Sequence, residues 1–170
     1  INWVKNLGFS MIEISDGIFN IDRKKRCDTI KRSKDAGLKV ITEVGKKDSE
    51  VEIPISQLCE DIILDLDHGA EKVIIEGRES GKNIGVYDNK GNILDKKVKS
   101  ILEGINHRQN DIIWEAPQQH QQASFIQRFG SNVNLGNILP RDILGLEALR
   151  QGLRYETLVH FVSENKLKNE

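Results

Sequence analysis

Short apolar runs alternate with longer amphipathic stretches along this chain. The runs at 11–14, 38–41, 73–75, 112–114 and 133–135 are brief and rich in Ile and Val, which suits strands buried on both faces. The stretches between them leave room for a helix and two loops, the mark of βαβ units and a parallel sheet. Asp22 is placed to cap a helix that ends at Gly37, with Cys27 and Ile30 facing inward. Ser56 is placed to cap the next, in which Leu58, Ile62 and Leu66 repeat every four residues as far as Gly69. Leu94, Val98, Ile101, Leu102 and Ile105 fit a third helix, and Phe125, Ile126 and Phe129 a fourth before Gly130. A fifth starts at Pro140, buries Ile143, Leu146 and Leu149, and stops at Gly152. Five βα units result, in one α/β domain without linker or repeat. They suit an open parallel sheet or part of an eight-stranded barrel, which takes about 250 residues. The chain opens on Ile1, so further units are expected upstream, and the polar residues 163–170 are expected to fray.

Composition narrows the partners. Hydrophobic residues make up 38% and charged residues 30% of 170, as in a soluble globular protein, and no run is long enough to span a membrane. A net charge of −1 gives no reason to expect nucleic acid or an acidic membrane. Cys27 and Cys59 lie far apart without CxxC spacing, which argues for buried thiols in a reducing cytoplasm rather than a disulfide framework. The four histidines lack zinc-ligand spacing.

Charge at the strand ends is the informative feature. The runs lead into Glu13-Ile14-Ser15-Asp16, Glu43-Val44-Gly45-Lys46-Lys47, Glu76-Gly77-Arg78-Glu79-Ser80-Gly81-Lys82 and Glu115-Ala116-Pro117-Gln118. In parallel α/β folds the C-terminal strand ends form the ligand face. Carboxylates converging there repel unless a cation lies between them, and Mg²⁺, which takes oxygen ligands, is the simplest answer. Lys46, Lys47, Arg78 and Lys82 then complement a small anionic substrate. The blander reading of any single Glu is a solvated or capping residue; repetition across four strands weighs against it. The glycines around Lys82 miss the P-loop spacing, and Asn83 stands where Ser or Thr is needed. Residues 81–91 read as a flexible loop with a hairpin turn at Asp88-Asn89-Lys90-Gly91, either a lid or a surface excursion. No histidine stands at a strand end to make a Ser-His-Asp triad of Ser15 and Asp16. The glutamines from Gln118 to Gln122 open a helix whose free N–H groups suit an anion. An aldolase forming a Schiff base on Lys46 or Lys47, and a non-catalytic anion-binding domain, both remain open on these residues.

The strings Ile12-Glu13-Ile14-Ser15-Asp16-Gly17, Thr42-Glu43-Val44-Gly45-Lys46-Lys47, Ile74-Ile75-Glu76-Gly77-Arg78-Glu79-Ser80-Gly81-Lys82, Glu115-Ala116-Pro117-Gln118 and Phe129-Gly130-Ser131-Asn132-Val133-Asn134-Leu135, with Leu146 to Arg154, resemble the phosphosulfolactate synthases. The resemblance runs from about Leu7 to Leu158; Tyr155-Glu156-Thr157 departs from the family's usual Gly-Asp-Thr. It implies a (β/α)₈ TIM-type barrel, of which residues 1–170 supply about the last five units as the C-terminal part of one domain. It implies a lyase that joins sulfite to C3 of phosphoenolpyruvate, giving 2-phospho-3-sulfolactate, with links to coenzyme M synthesis in methanogens and to sulfolactate in spore formers. On that chemistry Glu43 and Glu76, then Glu13 and Asp16, are the expected Mg²⁺ ligands. Lys46, Lys47, Glu76 and Arg78 are the expected catalytic residues, with Lys46 or Lys47 delivering a proton to C2. Ser15, Arg78, Ser80, Lys82, Gln118 and Asn134 are expected to bind substrate. An open barrel side exposes apolar edges, so copies of the chain are expected to associate as a homo-oligomer.

Overall fold

Five strands pair in parallel and in chain order, β1-β2-β3-β4-β5. The computed structural model describes residues 1–15, 21–46 and 53–167, with side chains as far as residue 163. A short helix α1 (Asn2–Asn6) precedes β1 (Met11–Ser15). Then follow α2 (Arg23–Asp35), β2 (Lys39–Val44), α3 (Ile55–His68), β3 (Lys72–Ile75), α4 (Asp95–Gly104), β4 (Ile112–Glu115), α5 (Gln119–Phe129), β5 (Leu135–Gly136), α6 (Ile143–Arg150) and α7 (Tyr155–Leu167). Parallel strands in sequence order, alternating with helices, form an arc of a TIM-type barrel. Among the described residues no helix is long and apolar enough to cross a membrane.

Strand periodicity sorts side chains onto two faces. Val44, Val73, Ile75, Ile112 and Trp114 face the helices and join Leu58, Ile62, Ile101 and Phe125 in the main core. Trp114 stacks on Phe125 at 5.0 Å and on Phe129 at 5.8 Å between ring centroids. Such pairs add about 0.5–1.5 kcal/mol each beyond area burial. Ile14, Ile30 and Val40 form a smaller cluster under α2. The opposite face of the sheet carries Ser15, Glu43, Glu76 and Glu115, fixed by the pairings Ser15 with Glu43 and Ile75 with Trp114.

Most helix limits follow the capping chemistry. Asp22 accepts from the Lys25 N–H at 3.0 Å and starts α2. Three expectations need correction. Pro54, not Ser56, precedes the first residue of α3, because its fixed φ suits a helix entry. Ile143 is 53% exposed; a turn of 3-10 helix at Pro140–Asp142 comes first, and only Leu146 and Leu149 reach the core. Helix α7 continues to Leu167, past the expected fraying point at 163.

Candidate active site

Glu43 and Glu76 are buried charged residues at the ends of adjacent parallel strands. Glu43, at the penultimate position of β2, lies level with Ser15. The Ser15 hydroxyl donates to Glu43 Oε1 at 2.7 Å. Glu76 follows β3 directly and stands one step further out, level with Glu115 across the sheet. Its room comes from Gly45. A Cβ added there would lie 2.7 Å from Glu76 Cβ, and Gly45 holds a φ of +115° that suits only glycine.

The electrostatics follow from this crowding. Burial, first, and then the neighbouring charge of Glu43 push the Glu76 carboxyl up to about 7, with Glu115 adding to the effect. The Arg78 N–H donates to Glu76 Oε1 at 2.8 Å and opposes the shift. Glu115 is engaged differently: its Oε2 accepts from the Gly77 N–H at 2.8 Å and from the Arg78 N–H at 3.1 Å. Lys46, half-buried, follows Gly45 at the end of β2. Beside the cluster a cavity of about 440 Å³ is lined by Lys46, Glu76, Asn83, Tyr87, Asp88 and Lys97, among others.

Glu13 lies exposed on the same face of β1 as Ser15, two residues earlier. Ser80 and Lys82 are exposed on the β3–α4 loop. Asp16 and Lys47 lie outside the described residues. Two expected binding residues have other engagements. Asn134 donates through Nδ2 to the carbonyls of Asn110 at 2.9 Å and Ile112 at 3.1 Å. Its amide therefore points to the start of β4, the end opposite Glu76, and this corrects its assignment as a substrate contact. Gln118 caps α5 in a reciprocal capping box with Gln121 and donates to the Ser80 carbonyl.

The β3–α4 loop is held rather than loose. Gln121, fully buried, donates to the carbonyls of Gly81 at 2.8 Å and Gly91 at 2.9 Å. Tyr87 donates its hydroxyl proton to the Glu115 carbonyl. The expected hairpin is present, with Tyr87 bridging Ile93 in antiparallel fashion. The expectation of a flexible loop is thus corrected: one buried amide, that of Gln121, spends its donors on two of its carbonyls.

Sequence reasoning missed Arg26 and Asp65. Arg26 on α2 donates through Nε to Asp65 Oδ1 at 2.8 Å and through Nη2 to the Glu43 carbonyl at 2.9 Å. Both side chains are buried, and the pair ties α2 and α3 to the end of β2. The signal was present: Asp65 stands three residues after Ile62 on an inward stripe, where an unpaired charge is not tolerated.

Among the described residues no group of three or more His, Cys, Asp and Glu is placed to hold a metal ion. Mg²⁺ asks for less, because it keeps several waters and is held by one or two carboxylates plus substrate oxygens. Glu43 and Glu76 fit that demand: both are oxygen donors, and of the two main causes that raise the Glu76 carboxyl, burial and then the Glu43 charge, the second is what a dication would relieve.

Residues 1–156 match the family model described as (2R)-phospho-3-sulfolactate synthase (ComA). The chain is 45% identical over 159 residues to the phosphosulfolactate synthase of Methanocaldococcus jannaschii, covering 92% of this chain and 62% of that protein. It is 42% identical over 156 residues to that of Methanothermobacter thermautotrophicus, covering 91% and 60%. It is 40% identical over 152 residues to that of Bacillus subtilis, covering 88% and 59%. The chain spans about three-fifths of the length of these relatives.

Proposed function

The chain belongs to the (2R)-phospho-3-sulfolactate synthase (ComA) family, and on that footing we propose that it forms the larger part of a lyase that joins sulfite to phosphoenolpyruvate. The same reading makes residues 1–170 the C-terminal part of a single (β/α)₈ barrel domain. What carries it is the crowding of Glu43, Glu76 and Glu115 at three neighbouring strand ends, with Lys46 and Arg78 beside them.

The reaction sets two anions against each other, so charge must be screened before bonding. Glu43 and Glu76 would hold Mg²⁺, which supplies charge neutralisation and polarises a bound carboxylate. Arg78 offers a planar pair of donors to phosphate or sulfite oxygens. Lone-pair attack by sulfur on C3 forms the C–S bond while the alkene pair moves to C2 and its carboxylate. The product then takes a proton at C2. Lys46 or Lys47 would deliver it as the general acid. Ser15 keeps Glu43 oriented through their 2.7 Å hydrogen bond. Ser80 and Lys82, on the loop that follows Arg78, extend the anion site.

Two buried free cysteines suit a reducing cytoplasm. Apolar side chains left exposed on and between α6 and α7, Leu144 at 84% and Leu153 at 76%, support association of copies.

The test is sulfite-dependent consumption of phosphoenolpyruvate by the full-length protein, with chelator and with Mg²⁺ restored. Turnover that needs sulfite, stops with chelator and returns with Mg²⁺ is the expected result. A folded protein that consumes no phosphoenolpyruvate under any of these conditions refutes the reading. Arg78→Ala, Lys46→Ala and Glu76→Gln should each lower kcat/KM by at least 100-fold, about 3 kcal/mol of transition-state stabilisation.

A further inference from the structure

We propose that Glu115 is a positioning residue that clamps the Gly77-Arg78 turn and so aims the Arg78 guanidinium at the substrate anion. The proposal rests on the reading that Arg78 contacts that anion. It departs from the simplest view of Glu115 as one more carboxylate waiting for a cation.

Four observations converge. Glu115 Oε2 accepts from two successive backbone N–H groups, Gly77 at 2.8 Å and Arg78 at 3.1 Å. Successive N–H groups of this kind form a concave anion site, and here a side chain of the protein occupies it. Arg78 has φ +57°, a left-handed conformation uncommon for a residue with a Cβ. With the Arg78 N–H held by Glu76 Oε1 and Glu115 Oε2, that φ sets where its Cβ and the following backbone leave the turn. Gly77 is required by the same contact: a Cβ there would lie 2.8 Å from the Glu115 carbonyl oxygen and 2.9 Å from Glu115 Cβ. Finally, the Glu115 backbone is itself held, since its carbonyl accepts from the buried Tyr87 hydroxyl.

The Arg78 side chain leaves the turn half-buried. The ion pairs among the described residues do not include it. Glu115 holds the backbone from which that side chain departs.

The experiment combines Glu115→Gln, Glu115→Leu and Arg78→Ala in the full-length protein, with both double variants. Kinetic constants for phosphoenolpyruvate and sulfite are read beside hydrogen exchange of residues 77–81. Gln keeps an acceptor oxygen without the charge, whereas Leu keeps none. KM for one anion should rise roughly fivefold in Glu115→Gln and about 30-fold in Glu115→Leu, with kcat changed by less than about threefold. In the Arg78→Ala background each Glu115 change should cost less than twofold, because the residue it acts through is gone. Exchange at 77–81 should quicken in Glu115→Leu. Equal KM costs with and without the arginine overturn the proposal, as does unchanged exchange in Glu115→Leu. If Arg78→Ala leaves both KM values alone, or the wild type shows no sulfite-dependent turnover, the functional reading of Arg78 fails. The exchange result then decides the clamp by itself: lost protection supports it, and retained protection overturns it.

Discussion

Replacing Glu76 by Gln should make the protein more stable at pH 8 while lowering its kcat/KM by at least 100-fold, about 3 kcal/mol. Glu76 is 3% exposed and is repelled by Glu43 and Glu115. Its carboxyl titrates at about 7 rather than at the ordinary 4.5, mainly through burial and then through the Glu43 charge. The folded pKa lies above the unfolded one, so between these two values the folded protein binds more protons. Stability from this group is therefore lost as pH rises from about 4.5 to 7, and the loss is complete above 7. Ionising such a group costs ~3 kcal/mol at most, and solvent reaching the cluster lowers that figure. Gln keeps the shape and carries no charge at any pH. Its advantage over wild type should be small at pH 5 and about 2 kcal/mol at pH 8. For a protein of this size that corresponds to roughly 4–8 °C in Tm. The assay is thermal and urea unfolding of both forms at pH 5 and pH 8 with chelator present. Adding Mg²⁺ at pH 8 should raise the wild type alone and narrow the gap, since a ligand stabilises only the form that binds it. A gap that does not widen from pH 5 to pH 8 refutes the claim that Glu76 is held ionised at a cost.

The remaining predictions concern residues around the cluster. Breaking the buried Arg26–Asp65 pair by Asp65→Ala should cost about 3–5 kcal/mol in urea unfolding, and Arg26→Met with Asp65→Leu should recover much of it; equal losses in single and double variants refute the coupling. Gly45→Ala should cost about 1–3 kcal/mol and lower turnover further, because its methyl meets Glu76 Cβ at 2.7 Å; wild-type activity there would show that Glu76 can move freely. Gln121→Leu should cost about 1–3 kcal/mol and speed hydrogen exchange at residues 81–91, since the Gly81 carbonyl loses its donor and the Gly91 carbonyl keeps only the His120 ring; unchanged exchange would show that the loop holds itself.

The architecture was legible because its causes are local. Short Ile- and Val-rich runs about a helix apart can bury both faces only in a parallel sheet, and Asp22 announces its helix by side-chain chemistry alone. Where the reading failed, the deciding partner was distant. Asn134 was expected at the site from its place in the string Phe129 to Leu135, yet its amide partners come from residues 110 and 112. Loop 81–91 looked flexible from its glycines, yet residue 121, in the next βα unit, fixes it. Ile143 was read from helical spacing, which fixes a stripe but not which half of it meets a neighbour.

The three strand-end glutamates show the same limit within the site. Each follows an apolar run, and nothing in its immediate sequence separates it from the others. Glu43 lies level with a serine on β1 that donates to it. Glu76 lies level with a glycine on one side and Glu115 on the other, so it takes the desolvation and both repulsions. Glu115 meets two N–H groups from a turn on the neighbouring strand's loop and spends its charge there. Register decides these fates, and register is set by pairing between strands. A cation at this face would therefore be best served by Glu43 and Glu76, because Glu115 Oε2 is already engaged by the backbone N–H groups of Gly77 and Arg78.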